Sequence, residues 1–137
     1  MKNATSHPHA AADSDCPFCN LPPKRLLHSD EVANIFADGY PVSPGHLLIT
    51  PRCHYPTLFD MPADEQLHLL DLINKAKELI NQSHRPDGYN VGINNGAAAG
   101  QTVPHVHIHV IPRYDGDVED PRGGVRWVIP SKANYWA

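Results

Sequence analysis

Residues Pro104 to Arg113 read PHVHIHVIPR, which places His105, His107 and His109 at every second position of an otherwise apolar run. Side chains of a β-strand alternate between its two faces, so an extended conformation here puts the three histidines on one face. The apolar side chains then share the opposite face and can pack into a core. The pattern therefore predicts a strand with a core face and a histidine face.

A histidine face of this kind is suited to phosphate or metal chemistry. Imidazole can act as a nucleophile, a general base, a metal ligand or, when protonated, a hydrogen-bond donor to phosphate. The preceding loop NNGAAAGQT, residues 94–102, adds side-chain amides and a glycine-rich backbone whose N–H groups favour anions. The alternative is an exposed polar face on which histidine happens to recur.

The rest of the chain predicts an antiparallel sheet with one long helix. Short apolar runs on either side of an HSDE turn, within residues 26–37, indicate a β-hairpin, and residues 46–50 and 89–94 indicate two further strands. Leucines, alanine and isoleucine repeat at helical spacing between about 62 and 83. These elements predict an α+β fold, an antiparallel β-sheet with the amphipathic helix packed on it.

A chain of 137 residues with 41% hydrophobic content has room for one compact core. We expect residues 1–14 to form a flexible tail and residues 15–137 to form a single domain. From about residue 114 the chain is rich in turn residues, which predicts an extended segment along the surface. Whether Trp127 and Trp136 close a pocket or only anchor this segment stays open.

Composition excludes several classes of partner. The net charge of −4 lacks the basic character of a protein that binds a nucleic-acid polymer. No apolar run approaches the length of a membrane span and the first residues lack a secretory signal, so we expect a cytoplasmic protein with no membrane partner. Three cysteines, an odd number, also fit a reducing compartment better than a disulfide framework.

Cys16 and Cys19, in the sequence CPFC, have the spacing of half a tetrahedral zinc site. A redox pair is the alternative, although the strand–helix–strand context of such pairs is missing here. Thiolates combined with imidazoles are ligands that zinc prefers.

The string GQTVPHVHIHVIPR, together with FADGYPVSPGHLLITPRCH upstream, resembles the signature of the histidine triad (HIT) nucleotide hydrolases and transferases over residues 16–113. The resemblance implies a HIT-like fold and a nucleotide whose α-phosphate lies against the triad. His107 is the implied nucleophile, which forms a covalent nucleotidyl-histidine that water then cleaves. His109 is expected to contact the phosphate or the leaving group, and His46 to complete the cluster.

The same resemblance implies a set of substrate contacts. Gln101 and Thr102 match phosphate-contacting residues of the family, and Asn94 matches a further polar contact. Asp38 matches an acidic ligand of ribose hydroxyls, and Phe36 and Phe18 match an apolar nucleoside pocket. Core packing remains an alternative for the two phenylalanines, and a turn-forming role remains one for Asp38.

Bacterial relatives carry a similar cysteine pair that two histidines complete, and these histidines correspond to His54 and His105. The resemblance therefore implies a structural zinc ion held by Cys16, Cys19, His54 and His105. Cys53, next to His54, is an alternative ligand, but adjacent side chains of an extended segment point in opposite directions.

Two further expectations follow from the resemblance. The segment NLPPKRLL replaces the longer isoleucine-rich helix of the small phosphoramidase-type members, and the segment after HVIPR, with Tyr114 and DGDVED, looks more like that of the branch that hydrolyses dinucleoside polyphosphates. The alternatives to such a hydrolase are a nucleotidyltransferase or phosphorylase, and a zinc-stabilised nucleotide-binding module without turnover. Family members of this size usually form homodimers through the helix and a sheet edge, and Leu67, Leu70, Leu72 and Ile73 exceed what one buried helix face needs.

Overall fold

The computed structural model describes residues 12–137. Most of the predicted N-terminal tail, residues 1–11, lies outside the described residues. Asp13 and Ser14, which we expected in the tail, instead belong to the cysteine segment. The backbone N–H of Cys16 donates to the Asp13 carbonyl at 3.1 Å, so the turn that carries the cysteines begins before residue 15.

The described chain forms an α+β fold with one five-stranded sheet and one long helix, as predicted. All the strand pairs are antiparallel, and the strand order across the sheet is β1-β2-β3-β5-β4. Short 3₁₀ turns occur at Pro23–Arg25, Leu58–Asp60, Ala97–Ala99 and Gly124–Val128. The strands and helices are β1 (Leu26–Ser29), β2 (Ala33–Ala37), β3 (Leu47–Pro51), α1 (Ala63–Asn81), β4 (Gly88–Ile93), β5 (Ile108–Arg113) and α2 (Pro130–Ala133).

Helix α1 packs its apolar face against one face of the sheet. Leu69, Leu72, Ala76 and Ile80 recur at helical spacing and are all buried in the core cluster. Each such leucine or isoleucine contributes about 1.5–3 kcal/mol by leaving water. Leu72 therefore belongs to the core and not to a second apolar face. Within residues 12–137, no helix is both long and apolar enough to cross a lipid bilayer.

The histidine segment differs from the prediction in length. Strand β5 begins at Ile108, so His105 and His107 precede the hydrogen-bonded ladder. The backbone N–H of Val106 donates to the Tyr55 carbonyl at 2.9 Å, and Pro51 at the end of β3 has no N–H to extend the ladder. The predicted alternation nevertheless holds, because Val106 and Ile108 are buried in the core on the side of α1.

The C-terminal segment is not simply extended, which corrects the sequence-based expectation. Gly123 and Gly124 have φ angles of +94° and +45°, a conformation that favours glycine and turns the chain. A 3₁₀ turn over Gly124–Val128 follows, and Pro130 begins α2 at a position that proline suits.

Asp30, between β1 and β2, ties the hairpin to α1. Its Oδ1 accepts hydrogen bonds from the backbone N–H groups of Val32 and Ala33, and its Oδ2 accepts from Nε2 of His28 and of His68, all at 2.9 Å. Partial burial opposes ionisation, but the four hydrogen bonds outweigh it and lower the pKa of Asp30 to about 2.

We expect Asp30→Asn to lower the free energy of unfolding by about 1–3 kcal/mol at pH 7, because hydrogen bonds to a charged group are lost. Since the folded-state pKa lies below the ordinary value of 3.8, the stabilisation is complete above about pH 4 and is lost as the pH falls towards 2. Urea unfolding across this range measures the difference. Asp71→Asn, at an exposed position of α1, is the control. Equal stability of Asp30→Asn and wild type at pH 7 would contradict the role of this carboxylate.

Candidate functional site

A cavity of about 880 Å³ lies on the sheet face opposite α1. Its floor is a row of four residues in register across the sheet: Phe36 on β2, Leu48 on β3, His109 on β5 and Gly92 on β4. Ligand-binding cavities typically measure about 300–1,000 Å³. The strand order therefore places a histidine inside a cavity large enough for a substantial organic ligand.

Three histidines meet in this cavity. The rings of His107 and His109 lie 5.0 Å apart, edge to face, and Nε2 of His46 lies 3.0 Å from Nδ1 of His109. His46 and His107 are buried, while His109 is partly exposed. All three line the cavity, so the structure brings the predicted catalytic histidines together.

Backbone groups determine which ring nitrogen of His46 carries the proton. The N–H of Val42 donates to Nδ1 of His46 at 3.1 Å, so neutral His46 must carry its proton on Nε2. That proton points at Nδ1 of His109, which accepts it and therefore leaves the His109 proton on Nε2. We assign these tautomers from the hydrogen-bond network.

Burial keeps both rings of this pair neutral. Burial, together with the neighbouring His107 and His46, lowers the pKa of His109 to about 4, although the carboxylate of Asp38 opposes this effect. Burial also lowers the pKa of His46, although the carboxylate of Asp38 opposes this effect. At neutral pH, His109 therefore offers an N–H donor on Nε2 without a positive charge.

His107 has the opposite arrangement. Its Nδ1 lies 2.8 Å from the carbonyl oxygen of His105 and must donate to it, because a carbonyl can only accept. In the neutral ring Nε2 of His107 is therefore the unprotonated nitrogen, with a lone pair available for attack. A nucleophilic nitrogen and an N–H donor thus lie side by side at the cavity floor.

Asp38 makes the turn considered from the sequence and also lies close to the histidine pair. Its Oδ1 accepts the backbone N–H of Tyr40 at 2.8 Å, which makes the turn after β2. Its Oδ2 lies 3.4 Å from Nε2 of His46 and 3.9 Å from Nδ1 of His109. The carboxylate therefore borders the cavity beside the histidine pair.

The two phenylalanines form one apolar end of the cavity. The rings of Phe18 and Phe36 lie 5.5 Å apart, and Phe18 also contacts His107 at 5.1 Å. Phe36 lies on the cavity face of β2, on the opposite side from the helix-covered core. Both rings pack together and line the cavity, so packing and pocket formation are combined here.

The loop before the histidines places its predicted contacts differently. Thr102 and Asn94 line the cavity, but Gln101 does not. Oε1 of Gln101 accepts the backbone N–H of Gly96 at 2.7 Å, and its Nε2 donates to the Pro56 carbonyl at 2.6 Å. In this structure the side chain of Gln101 closes the loop, which corrects its expected role as a direct phosphate contact.

Sequence reasoning missed two parts of the cavity. Arg25 carries the only guanidinium among the described lining residues, and it lies 5.2 Å over the Phe36 ring. The register of the β1–β2 hairpin could have indicated this position of Arg25, because the adjacent Leu26 pairs with Phe36. The second part, which we call the C-terminal wall, comprises Gly124, Val125, Trp127 and Val128. Trp127 therefore lines the cavity, which is the first of the two alternatives considered for this residue from the sequence.

The predicted metal ligands converge beside the histidine face. Nδ1 of His105 lies 3.5 Å from Sγ of Cys16 and 3.5 Å from Sγ of Cys19. Nδ1 of His54 lies 3.2 Å from Sγ of Cys19 and 3.1 Å from Nδ1 of His105. Tetrahedral zinc, with bonds of about 2.3 Å to sulfur and 2.0–2.1 Å to nitrogen, requires ligand separations of roughly 3.3–3.8 Å. The two distances from His105 to the cysteines lie within this range and the two distances from His54 lie slightly below it, so the cluster has approximately the spacing that such an ion needs.

Two further contacts support this ligand set. Nε2 of His105 lies 2.8 Å from the Pro51 carbonyl and donates to it, which leaves the Nδ1 lone pair facing the cysteines. Cys53 packs against the hydrophobic core, whereas His54 faces the cluster. The geometry thus favours His54 over Cys53 as the fourth ligand.

Asp38, His46 and His109 also have the spacing of metal ligands. However, the Val42 N–H occupies Nδ1 of His46 and keeps the proton on Nε2, the nitrogen that a metal would need. We therefore interpret this second cluster as a hydrogen-bonded chain and not as a metal site.

The fold and the site define a small α+β domain with a histidine-lined cavity on an antiparallel sheet and a Cys₂His₂ cluster beside it. A family model described as the HIT domain matches residues 21–116, and the chain belongs to the HIT family, a family of nucleotide hydrolases and transferases.

Relatives place the chain within this family. A HIT-like protein of Methanocaldococcus jannaschii is 40% identical over 108 residues, which cover 76% of this chain and 83% of that protein. AP-4-A phosphorylase of Mycobacterium tuberculosis is 35% identical, with 80% and 60% covered. Bis(5'-nucleosyl)-tetraphosphatase of Schizosaccharomyces pombe is 33% identical, with 70% and 53% covered. The chain thus spans little more than half of the two relatives with named activities.

The crystal structure of a Zn-bound histidine triad family protein from Mycobacterium smegmatis is also similar. It aligns with a TM-score of 0.68 at 32% identity and covers 75% of this chain and 78% of that one.

We expect the purified protein to bind one transition-metal ion per chain, because of the two candidate clusters within residues 12–137 the cysteine cluster alone has free lone pairs on its ligands. Elemental analysis after dialysis measures the ratio. Cys19→Ser should lose the ion, and Asp38→Asn should keep it. Two ions per chain, with one lost in Asp38→Asn, would show that the tautomer assigned to His46 is wrong.

Proposed function

We propose that this protein cleaves a dinucleoside polyphosphate, or a related nucleotide, at the α-phosphate through a covalent nucleotidyl intermediate on His107. One observation carries the proposal. Nε2 of His107 has a free lone pair, while the adjacent His109 offers an N–H donor, and both line a cavity with an apolar end. Attack on phosphorus needs the first group, and charge on a phosphoryl or leaving oxygen is stabilised by the second.

The proposed reaction has two steps. Nε2 of His107 attacks the α-phosphorus, and the bond from phosphorus to the bridging oxygen breaks, so that the shortened polyphosphate leaves as an anion. The His107 ring becomes positively charged, and its Nδ1–H remains bonded to the His105 carbonyl, which stabilises that charge. Water then attacks phosphorus, the P–N bond breaks, and the products are a nucleoside monophosphate, a proton and the regenerated histidine.

The cavity lining suggests how the nucleotide lies. We assign the apolar end at Phe18 and Phe36 to the nucleoside and the carboxylate of Asp38 to its ribose hydroxyls. Thr102 and Asn94 also line the cavity, and we assign Thr102 to the phosphate and Asn94 to a further polar contact with the substrate. Gln101 contributes indirectly, because it holds the loop in which these residues lie.

We also assign a structural zinc ion to Cys16, Cys19, His54 and His105, supported by the ligand separations. The ion supplies a cross-link between the N-terminal segment and the sheet. His105 links this cluster to the reaction, because its carbonyl accepts the Nδ1 proton of His107. No disulfide joins the three cysteines, which fits the cytoplasmic location expected from the sequence.

We expect wild-type protein mixed briefly with diadenosine tetraphosphate to gain the mass of one adenylyl group, because the histidine adduct forms before water cleaves it. His107→Ala should show no adduct and should reduce turnover by roughly 1,000-fold or more, as loss of a nucleophile does. Intact-protein mass spectrometry and product chromatography measure both effects. Unchanged zinc content in His107→Ala is the control for folding. An adduct that persists in His107→Ala would exclude this residue as the nucleophile.

Transfer to phosphate instead of water is the second candidate, favoured by the similarity to AP-4-A phosphorylase. The products distinguish the two reactions when inorganic phosphate is present. Hydrolysis of diadenosine tetraphosphate at the α-phosphate yields AMP and ATP, whereas phosphorolysis yields ADP and ATP. Tight binding without either product would indicate a non-catalytic nucleotide-binding module.

We further propose a homodimer formed through α1 and β4. Leu67 and Leu70 on α1 are 64% and 47% exposed, and β4 is an edge strand whose Val91 is also exposed. Exposed apolar side chains on a helix and an unpaired strand edge are each typical of an interface between copies.

We expect Leu70→Glu to convert a dimer into a monomer, because a buried carboxylate at the interface would lack a partner. Size-exclusion chromatography with light scattering measures the mass. Val118→Glu, at a residue that is likewise 47% exposed but lies outside this surface, should leave the dimer intact. A monomeric wild type at micromolar concentration would refute the proposal.

A further inference from the structure

The C-terminal wall has no role in the reaction described above, yet it forms one side of the cavity. Val125, Trp127 and Val128 are all apolar, and Trp127 is 45% exposed although it lines the cavity. Large apolar side chains that face a cavity, and not the core, are typical of a ligand contact.

The strand order places this wall opposite the nucleoside end. Phe36 on β2, His109 on β5 and Gly92 on β4 are in register across the sheet. The C-terminal wall contacts β4 and so comes next after β4 in this row. Neighbouring strands lie about 4.8 Å apart, so His109 is roughly 10 Å from the Phe36 strand and roughly 5 Å from β4. The histidines therefore lie between two apolar ends of one cavity.

The floor between the histidines and the wall is open. Gly92 has no side chain, and a Cβ atom at this position would meet nothing within 4 Å. The neighbouring cavity residue, Asn90, is held by Nη1 of Arg113 at 2.6 Å. A chain of phosphates leaving His107 thus has space to cross β4 towards the wall.

The wall is held in place before any ligand arrives. The indole Nε1 of Trp127 donates to the Arg122 carbonyl at 2.8 Å, and the guanidinium of Arg122 stacks 4.7 Å from the Trp136 ring. Gly123 fits closely, since a Cβ there would lie 3.2 Å from Trp136. A fixed aromatic surface loses little conformational entropy when it binds a base.

We propose that the C-terminal wall is a second nucleoside subsite, in which the base of the leaving nucleotide stacks on Trp127. This inference rests on the proposed function and narrows it. The substrate is a ligand with a nucleoside at each end of a polyphosphate, and not a mononucleotide with a small leaving group. A base at each end and phosphates in the middle match the order of apolar, histidine-lined and apolar surfaces along the cavity.

The test compares kcat/KM for diadenosine tetraphosphate with kcat/KM for adenosine phosphoramidate, which lacks the second nucleoside. In Trp127→Ala the ratio of the two should fall about tenfold or more, as expected for loss of one base-stacking contact. Trp127→Phe, which keeps an aromatic face, should restore most of the ratio. Phe59→Ala removes another exposed aromatic residue outside the cavity and is the matched control.

A ratio that does not change in Trp127→Ala, or a fall of the same size for both substrates, would overturn the second subsite. Val128→Ser, at an exposed position of the wall, tests the same surface if Trp127→Ala does not fold, and should lower the ratio about threefold. An unchanged ratio in Val128→Ser would then count against the subsite.

Failure of the proposed function is distinguishable from failure of this inference. If wild type cleaves neither compound, the proposed function is wrong, and calorimetric titration then tests the subsite alone. The subsite predicts that wild type binds diadenosine tetraphosphate at least tenfold more tightly than AMP and that Trp127→Ala loses this preference. Equal affinity of wild type for the two ligands would overturn it.

Discussion

A hydrogen bond between the backbone and one ring nitrogen fixes the tautomer of each of His105, His107 and His46. The Pro51 carbonyl holds Nε2 of His105, the His105 carbonyl holds Nδ1 of His107, and the Val42 N–H holds Nδ1 of His46. Each bond determines what the other nitrogen of that ring can do. His105 is thereby directed to the cysteines, His107 becomes an acceptor towards the cavity, and His46 becomes a donor towards its neighbour.

This arrangement explains how a chain with a net charge of −4 can offer a site for an anion. Burial keeps His46 and His109 neutral, so the site offers oriented N–H groups and loop backbone in place of a cluster of cations. Fixed dipoles need no reorganisation when charge moves during a reaction. Arg25, at the apolar end, is the guanidinium that borders this cavity.

The parts of the fold that depend on local sequence patterns were predictable. Alternation from His105 to Val110 predicted the two faces of the histidine segment and of the start of β5, and helical spacing predicted α1 to within two residues at each end. The convergence of His46 with His109 and of the cysteines with His54 followed only from resemblance to a family, because no local pattern brings residues so distant in sequence together.

The features that the sequence did not reveal depend on partners distant along the chain. Nothing near Gln101 shows that its amide is taken by Gly96 and by Pro56, the latter 45 residues away. Likewise, the contact of His68 with Asp30 joins a helix to a hairpin 38 residues earlier. The tail was misjudged for another reason, since its turns depend on positive φ angles at two adjacent glycines, which sequence spacing does not specify.

The bonds that shape the C-terminal segment join residues close together in sequence, from Arg122 to Trp136. These contacts lie within the segment itself, and the match to the HIT domain ends earlier, at residue 116. The chain therefore combines a histidine cluster that lies within the matched HIT domain with a C-terminal segment whose contacts join residues close together in sequence. If the C-terminal wall is the proposed second nucleoside subsite, mutations there change the ligand range while the histidines keep their environment, so selectivity and chemistry can evolve separately.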